Sequence, residues 1–271
     1  MTGRFIAAMD HSGGSTGGVL ERYGQVYTEA DKMEKVHAMR LRMVNSPDFN
    51  DKNIWGAILY KDTVTRGMVD VLNEKSIETF LKIDSGCESN GRLKEFNVRE
   101  MCKYAESYNM YGTKMRSIIK SVSMAGSILK QQFHIADIIC DHDLIPIIEP
   151  EVPIDHPDKA EVEAEVYRLL KVYLDRGNKN DNFNCILKLT PPEVPNLYHN
   201  LLEDNKFKIL KVVFLSGGYP TMEACRRLSA NNGVSASFSR ALSEGLTHTQ
   251  TDEEFNAKIK QSINMIVKAS E

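Results

Sequence analysis

The sequence predicts an α/β fold, a (β/α)8 barrel in which residues 1–271 form one domain. Three observations carry this expectation. Short apolar runs without polar alternation recur along the chain, as strands buried on both faces require. Each is followed by a longer segment with helical periodicity, the βαβ signature of a parallel sheet. Eight such units use up the chain, which leaves no segment for a second domain. An open doubly wound sheet is the rival, but it wants a GxGxxG turn after the first strand, and His11 to Gly18 reads HSGGSTGG.

The first strand is Phe5 to Met9, ending at Asp10, with a Gly/Ser turn over 11–18 and a helix from about Thr28 to Val44. The second strand is Trp55 to Tyr60, with a helix over Val64 to Leu72. The third, Thr79 to Asp84, precedes a helix over Val98 to Tyr108. The fourth, Met110 to Lys114, precedes one from about Ser123 to Cys140. The fifth is Leu144 to Glu149, followed by a charged helix from Lys159 to Arg176. The sixth, Asn184 to Leu189, is a continuous apolar run broken by Lys188 and stopped by Pro191 and Pro192. The seventh, Ile209 to Leu215, leads into a helix over Thr221 to Ala230, and the eighth, Val234 to Phe238, into one over Asp252 to Ala269.

Composition narrows the function. Apolar residues are 42% and charged residues 26%, with a net charge of -3, so nothing draws the chain as a whole to nucleic acid or anionic lipid. No apolar run reaches membrane-spanning length, and the apolar start is too short for a signal peptide. The five cysteines are scattered without a CxxC, which fits reduced thiols in a cytoplasmic protein. The seven histidines are scattered too, so no metal site is expected; Asp141-His142-Asp143 reads as a solvated turn.

Chemistry in a barrel gathers at the C-terminal ends of the strands. There this chain places Asp10 and Ser12, Lys82 and Asp84, Lys114 and Arg116, Glu149 and Glu151, Lys188, Ser216-Gly217-Gly218, and Ser239-Arg240. Residues two apart on a strand face one way, so each pair can share a direction. Packing does not explain charges repeated at strand ends. Lys188 reads either as a snorkelling or ion-paired lysine or as an amine nucleophile for a carbonyl; cations converging on the same mouth favour the second reading, because they oppose protonation of an amine. Glu149, on the adjacent strand, suits proton transfer during imine formation. Asp10 is either a base for a substrate hydroxyl or an aspartate that holds a lysine in place. Ser216-Gly217-Gly218 offers backbone N–H groups ahead of a helix, and Arg240 at the next strand end suits a bidentate grip on phosphate. The remaining cations suggest a second phosphate or carboxylate.

The segments Ala8-Met9-Asp10-His11-Ser12-Gly13-Gly14-Ser15-Thr16, Leu81-Lys82-Ile83-Asp84, Gly112-Thr113-Lys114-Met115-Arg116-Ser117, Pro146-Ile147-Ile148-Glu149-Pro150-Glu151, Ile186-Leu187-Lys188-Leu189, Phe214-Leu215-Ser216-Gly217-Gly218 and Ser237-Phe238-Ser239-Arg240-Ala241-Leu242 resemble class I fructose-bisphosphate aldolases, in their compact bacterial-type form. The resemblance runs from the first strand to the eighth. It implies reversible cleavage of fructose 1,6-bisphosphate to dihydroxyacetone phosphate and glyceraldehyde 3-phosphate through a Schiff base, with no metal or other cofactor. It implies that Lys188 forms the imine, Glu149 transfers protons to it, Asp10 takes the proton of the hydroxyl at the cleaving bond, and Lys114 positions Asp10 and substrate. Ser216, Gly217, Gly218 and Arg240, with Ser239, would hold the phosphate on the ketone side; Lys82 and Arg116, with Ser12 and Ser15, would hold the far one. It also implies a homo-oligomer whose partners are small sugar phosphates. Two departures from the family stand out: the chain ends at Ser270-Glu271 without the tail whose terminal tyrosine serves the animal enzymes, and Ser239 directly abuts Arg240. Alternatives are a Schiff-base aldolase of tagatose bisphosphate, a transaldolase-like enzyme, or a non-catalytic phosphate-binding barrel.

Overall fold

A computed structural model describes residues 3–12, 15–177, 182–204 and 207–271; of Ser15 it describes the backbone alone. Eight parallel strands close a barrel in chain order: β1 Phe5–Met9, β2 Ile54–Leu59, β3 Glu78–Lys82, β4 Gly112–Ile118, β5 Ile145–Glu151, β6 Cys185–Leu189, β7 Ile209–Phe214 and β8 Ser235–Phe238, with β8 paired back to β1. Among the described residues the helices are α1 Ser15–Arg22, α2 Lys32–Asn45, α3 Lys61–Thr65, α4 Met68–Glu74, α5 Val98–Ser107, α6 Val122–Cys140, α7 Lys159–Gly177, α8 His199–Glu203, α9 Thr221–Ser229, α10 Arg240–Ser243 and α11 Asp252–Ala269. The expected eight-unit barrel is thus present, with more helical pieces than the periodicity shows.

Two local differences have physical causes. The helix expected over Val64 to Leu72 breaks into α3 and α4 at Gly67, whose φ of +81° is left-handed and ends a right-handed helix. The turn expected over 11–18 gives way to α1 from Ser15 onward, despite Gly17 and Gly18. Other helix starts are ordinary: α11 opens on a capping box, in which the Thr251 hydroxyl accepts from the Glu254 N–H and the Glu254 carboxylate from the Thr251 N–H.

Strand alternation sorts the core into two. Phe5, Ala7, Leu59, Leu81, Ile148, Leu187, Phe214, Ala236 and Phe238 face outward into the layer beneath the helices. Ile6, Ala8, Ile58, Phe80, Ile147, Ile186 and Val213 face inward and fill the lower barrel. Trp55 and Tyr111 pack against this interior, their rings 5.7 and 5.5 Å from that of Phe80. The plug determines what lies above it. Two residues beyond Ala8, Phe80, Ile147 and Ile186 on the same side stand Asp10, Lys82, Glu149 and Lys188. Dry apolar rings below therefore support a charged layer at the mouth.

Candidate active site

The strand-end residues enclose a cleft of about 710 Å³ at the C-terminal mouth. At its floor four charges form a chain. The Lys188 ammonium lies 3.2 Å from one Glu149 oxygen, and the other Glu149 oxygen lies 2.8 Å from Lys114. Lys114 Nζ in turn donates to Asp10 Oδ2 at 2.9 Å. Lys114, Glu149 and Lys188 are each no more than 4% exposed. Register explains how they meet: β4 pairs Lys114 with Ile147 of β5, one inward step below Glu149, and β6 pairs Ile186 with that same Ile147.

The electrostatics follow from this geometry. Burial alone would push the Asp10 carboxyl up, but Lys114 and Lys188 outweigh it and hold Asp10 far below the usual carboxylate range. Glu149 is likewise lowered, with burial opposed by the same two ammoniums. Burial disfavours the Lys114 charge, yet Asp10 and Glu149 raise its pKa well above that of an ordinary lysine. At neutral pH the floor therefore holds two carboxylates, and Lys114 stays charged between them. The sequence suggests a crowd of cations around Lys188; in the fold the acids interleave with them.

Supporting contacts fix this floor from behind. The buried Gln132 of α6 donates to the Glu149 carbonyl at 3.1 Å and to Ser117 Oγ at 3.0 Å. Thr190, two residues past Lys188, bonds Val152 through both backbone groups, 3.0 Å from its N–H and 2.7 Å to its carbonyl. That ties the end of β6 to the end of β5. From α7, Lys159 reaches the Pro191 carbonyl at 2.7 Å while paired with the buried Glu163, whose other oxygen accepts from the Glu193 N–H at 2.9 Å. The chain just beyond Lys188 is thus held by a buried ion pair outside the cleft.

The cleft has two cationic sides. On one, Lys82 donates to Ser12 Oγ at 2.7 Å and lies 3.5 Å from Asp84, while Arg116 lies 3.3 Å from Glu151. Burial raises the Glu151 pKa against the pull of Arg116. Asp84 also accepts from the Arg116 and Gly86 N–H groups, which shapes the loop after β3. On the other side, Ser216 is buried at the end of β7. Gly217 and Gly218 turn with φ of +56° and +112°, and Arg240 lies over the turn, its Nη1 3.1 Å from where a Gly218 Cβ would stand.

Every residue named from the sequence lines this cleft except Ser15, whose side chain lies outside the described residues. The Ser239 hydroxyl is engaged by His11 Nε2 at 2.9 Å. His11 is pushed down to about 4 by burial, with Arg40 acting in the same sense, so this bond joins a neutral imidazole to a hydroxyl. Arg40 itself, buried on α2, donates to the His11 carbonyl at 2.7 Å. Sequence reasoning passes over Ser237. It lines the cleft, is 1% exposed, and its hydroxyl has no hydrogen-bond partner among the described residues. Alternation against the outward Ala236 and Phe238 is the signal that finds it. Arg22 also lines the cleft, and because it lies on a helix, no reading of strand ends reaches it. Among the described residues no group of three or more His, Cys, Asp or Glu is arranged to hold a metal ion, and no helix is long and apolar enough to cross a membrane.

No family model matches the chain. Whole-chain relatives do. The chain is 44% identical to the class 1 fructose-bisphosphate aldolase of Clostridium acetobutylicum, over 98% of this chain and 95% of that one. It is 42% identical to the enzyme of the same name from Porphyromonas gingivalis (98% and 94% covered) and 43% identical to that of Synechocystis sp. (98% and 93%). In fold it is similar to the fructose-bisphosphate aldolase of Plasmodium falciparum, with a TM-score of 0.73 at 20% identity over 100% of this chain and 90% of that one. An archaeal fructose 1,6-bisphosphate aldolase is a more distant likeness, at a TM-score of 0.56 and 10% identity, covering 98% and 94%. With near-complete coverage at more than 40% identity, this chain belongs to the class 1 fructose-bisphosphate aldolases.

Proposed function

We propose that the chain cleaves fructose 1,6-bisphosphate reversibly to dihydroxyacetone phosphate and glyceraldehyde 3-phosphate through an imine on Lys188. The observation that carries this reading is the run of buried groups from Lys188 through Glu149 and Lys114 to Asp10. It supplies an amine, a proton carrier in contact with it, and a carboxylate held in place for a substrate hydroxyl.

The steps follow from that order. The Lys188 amine adds to the substrate ketone, and the resulting carbinolamine loses its hydroxyl as water. Glu149, at 3.2 Å from the amine, carries the protons for both events. The iminium left behind is an electron sink at the carbon next to the bond that breaks. Asp10 takes the proton of the hydroxyl beyond that bond; the bond's electrons flow into the iminium, giving an enamine and releasing the aldehyde. Protonation of the enamine and hydrolysis of the imine free the second product. Lys114, bonded to both carboxylates, keeps Asp10 and Glu149 at fixed spacing. The Ser216-Gly217-Gly218 turn, Arg240 and Ser237 hold the ketone-side phosphate, and Lys82, Arg116 and Ser12 the far one. No step calls for a metal, since the iminium draws the electrons.

Borohydride reduction in the presence of dihydroxyacetone phosphate tests the reading. Mass spectrometry should find one reduced adduct, mapped to the peptide containing Lys188. An adduct elsewhere, or none with active enzyme, refutes it. Lys188→Met should yield neither adduct nor cleavage.

A further inference from the structure

Arg22 is the last residue of α1 and lines the cleft, yet it takes no part in the strand-end chemistry. Its guanidinium folds back over α1: a Cβ on Gly18 would stand 3.4 Å from Arg22 Nη1. Arg240 makes the matching arrangement over Gly218. Two arginines thus reach the same cleft, each across a bare glycine. They are near enough to repel; burial first, then the charge of Arg240, holds the Arg22 pKa below its ordinary value. Neither has a carboxylate within ion-pair distance among the described residues. The acid beside Arg22 in sequence, Glu21, instead accepts from the Tyr27 hydroxyl at 3.3 Å.

Paired glycines within α1 also need a reason, because glycine is the poorest helix former after proline. Gly17 has a steric one: a Cβ there would stand 2.3 Å from the Tyr27 hydroxyl. Gly18 has no such clash, and its Cβ would meet Arg22 alone. A Cβ there would rest in ordinary van der Waals contact with Arg22 Nη1, which places the guanidinium directly over Gly18. Two guanidiniums without a carboxylate partner among the described residues, lining one cleft with a glycine turn and a Ser237 hydroxyl that is likewise without a partner there, form a site for a dianion.

We propose that Arg22 is a second phosphate-binding arginine, gripping the ketone-side phosphate of the substrate together with Arg240. This rests on the assignment of that corner to the ketone-side phosphate, and its test separates the two. Arg22 is exposed, so Arg22→Gln leaves the fold intact. Glycerol 3-phosphate carries a phosphate but no ketone, so it binds without an imine. Its dissociation constant, by calorimetry, should rise about ten-fold or more in Arg22→Gln, the cost of losing one charge-assisted contact. The KM for fructose 1-phosphate and for fructose 1,6-bisphosphate should rise together, whereas Arg116→Gln should raise only the second. Borohydride trapping of unphosphorylated dihydroxyacetone should be the same in Arg22→Gln as in the parent. Unchanged glycerol 3-phosphate affinity in Arg22→Gln overturns the proposal, whatever the outcome at Lys188. Weakened affinity with no adduct at Lys188 in the parent would instead keep Arg22 and refute the imine reading.

Discussion

Replacing Lys114 by methionine isolates the energetics of the floor. The side chain keeps most of its apolar stem and loses the ammonium, leaving Asp10 and Glu149 buried with Lys188 as the cation left on the floor. In the parent, Lys114 contacts both acids, at 2.9 and 2.8 Å, while 3% exposed. Breaking a buried pair by removing one partner costs about 3–5 kcal/mol. With a urea slope of about 2–3 kcal/mol/M, the unfolding midpoint should drop by about 1–2.5 M near pH 8. The sign of the pH dependence is fixed by the shifts. In the parent, Asp10 and Glu149 sit below their unfolded values, so their contribution is full above about pH 4.5 and fades as pH falls. Without Lys114, burial prevails at Asp10 and raises it. A raised carboxyl contributes stability below its unfolded pKa and loses it as pH climbs through the folded one. The gap between parent and variant should therefore widen from pH 5 to pH 8. Urea unfolding followed by Trp55 fluorescence at several pH values measures it. A gap that is flat with pH, or under about 1 kcal/mol, refutes the coupled-charge account of the floor.

Other substitutions separate binding from stability. Ser237→Ala removes a buried hydroxyl with no partner among the described residues, so stability should hold or rise by up to about 1 kcal/mol while KM for the bisphosphate rises several-fold; denaturation and kinetics on one preparation check both. Lys159→Met should destabilise by about 3–5 kcal/mol, because Glu163 is left buried without its cation, and should lower kcat more than it raises KM through the released Pro191 carbonyl. The double variant Lys159→Met with Glu163→Leu should recover most of the stability. Excess EDTA should leave the cleavage rate unchanged; loss of rate, restored by a divalent cation, would contradict an iminium as the electron sink.

The barrel was legible because periodicity is a property of the strands themselves. Ile6 and Ala8, or Ile147 and Glu149, share a side whatever surrounds them, so strand ends can be read as a list of mouth residues. What the strands do not encode locally is harder to see. The interleaving of Asp10, Lys114, Glu149 and Lys188 depends on register between strands far apart in sequence, such as Lys114 opposite Ile147. Helix α1 was hidden by glycines that argue for a turn, and the break at Gly67 by apolar spacing that continues through it. Ser239 drew attention because it adjoins Arg240, yet its hydroxyl is spent on His11; Ser237, two residues earlier, has a hydroxyl without a partner among the described residues. Buried Arg40 and the Lys159–Glu163 pair lie on helices, where charge ordinarily means solvent.

On the mechanism proposed above, the composition of the floor accounts for a strongly acidic Asp10 acting as a base. With an iminium on Lys188, the four groups carry two negative and two positive charges and balance. In the proposed cleavage one proton would move to Asp10 and the iminium would become a neutral enamine, leaving Glu149 against Lys114, balanced again. Asp10 is held far below ordinary carboxylates partly by the charge at position 188. On that mechanism the charge would vanish in the step that protonates Asp10, so its proton affinity would rise as the bond breaks. Lys114 retains Glu149 throughout, which keeps a fixed positive charge at the floor while the other moves. A buried site that begins and ends neutral avoids the cost of creating an uncompensated charge away from water. Neutral Asn at position 10 would leave the iminium state with one uncompensated positive charge and no group to take the proton, so Asp10→Asn should still trap dihydroxyacetone phosphate with borohydride while cleavage of the bisphosphate falls by at least about 100-fold, the loss of a general base. Cleavage at parental rates by Asp10→Asn would show that another group takes that proton.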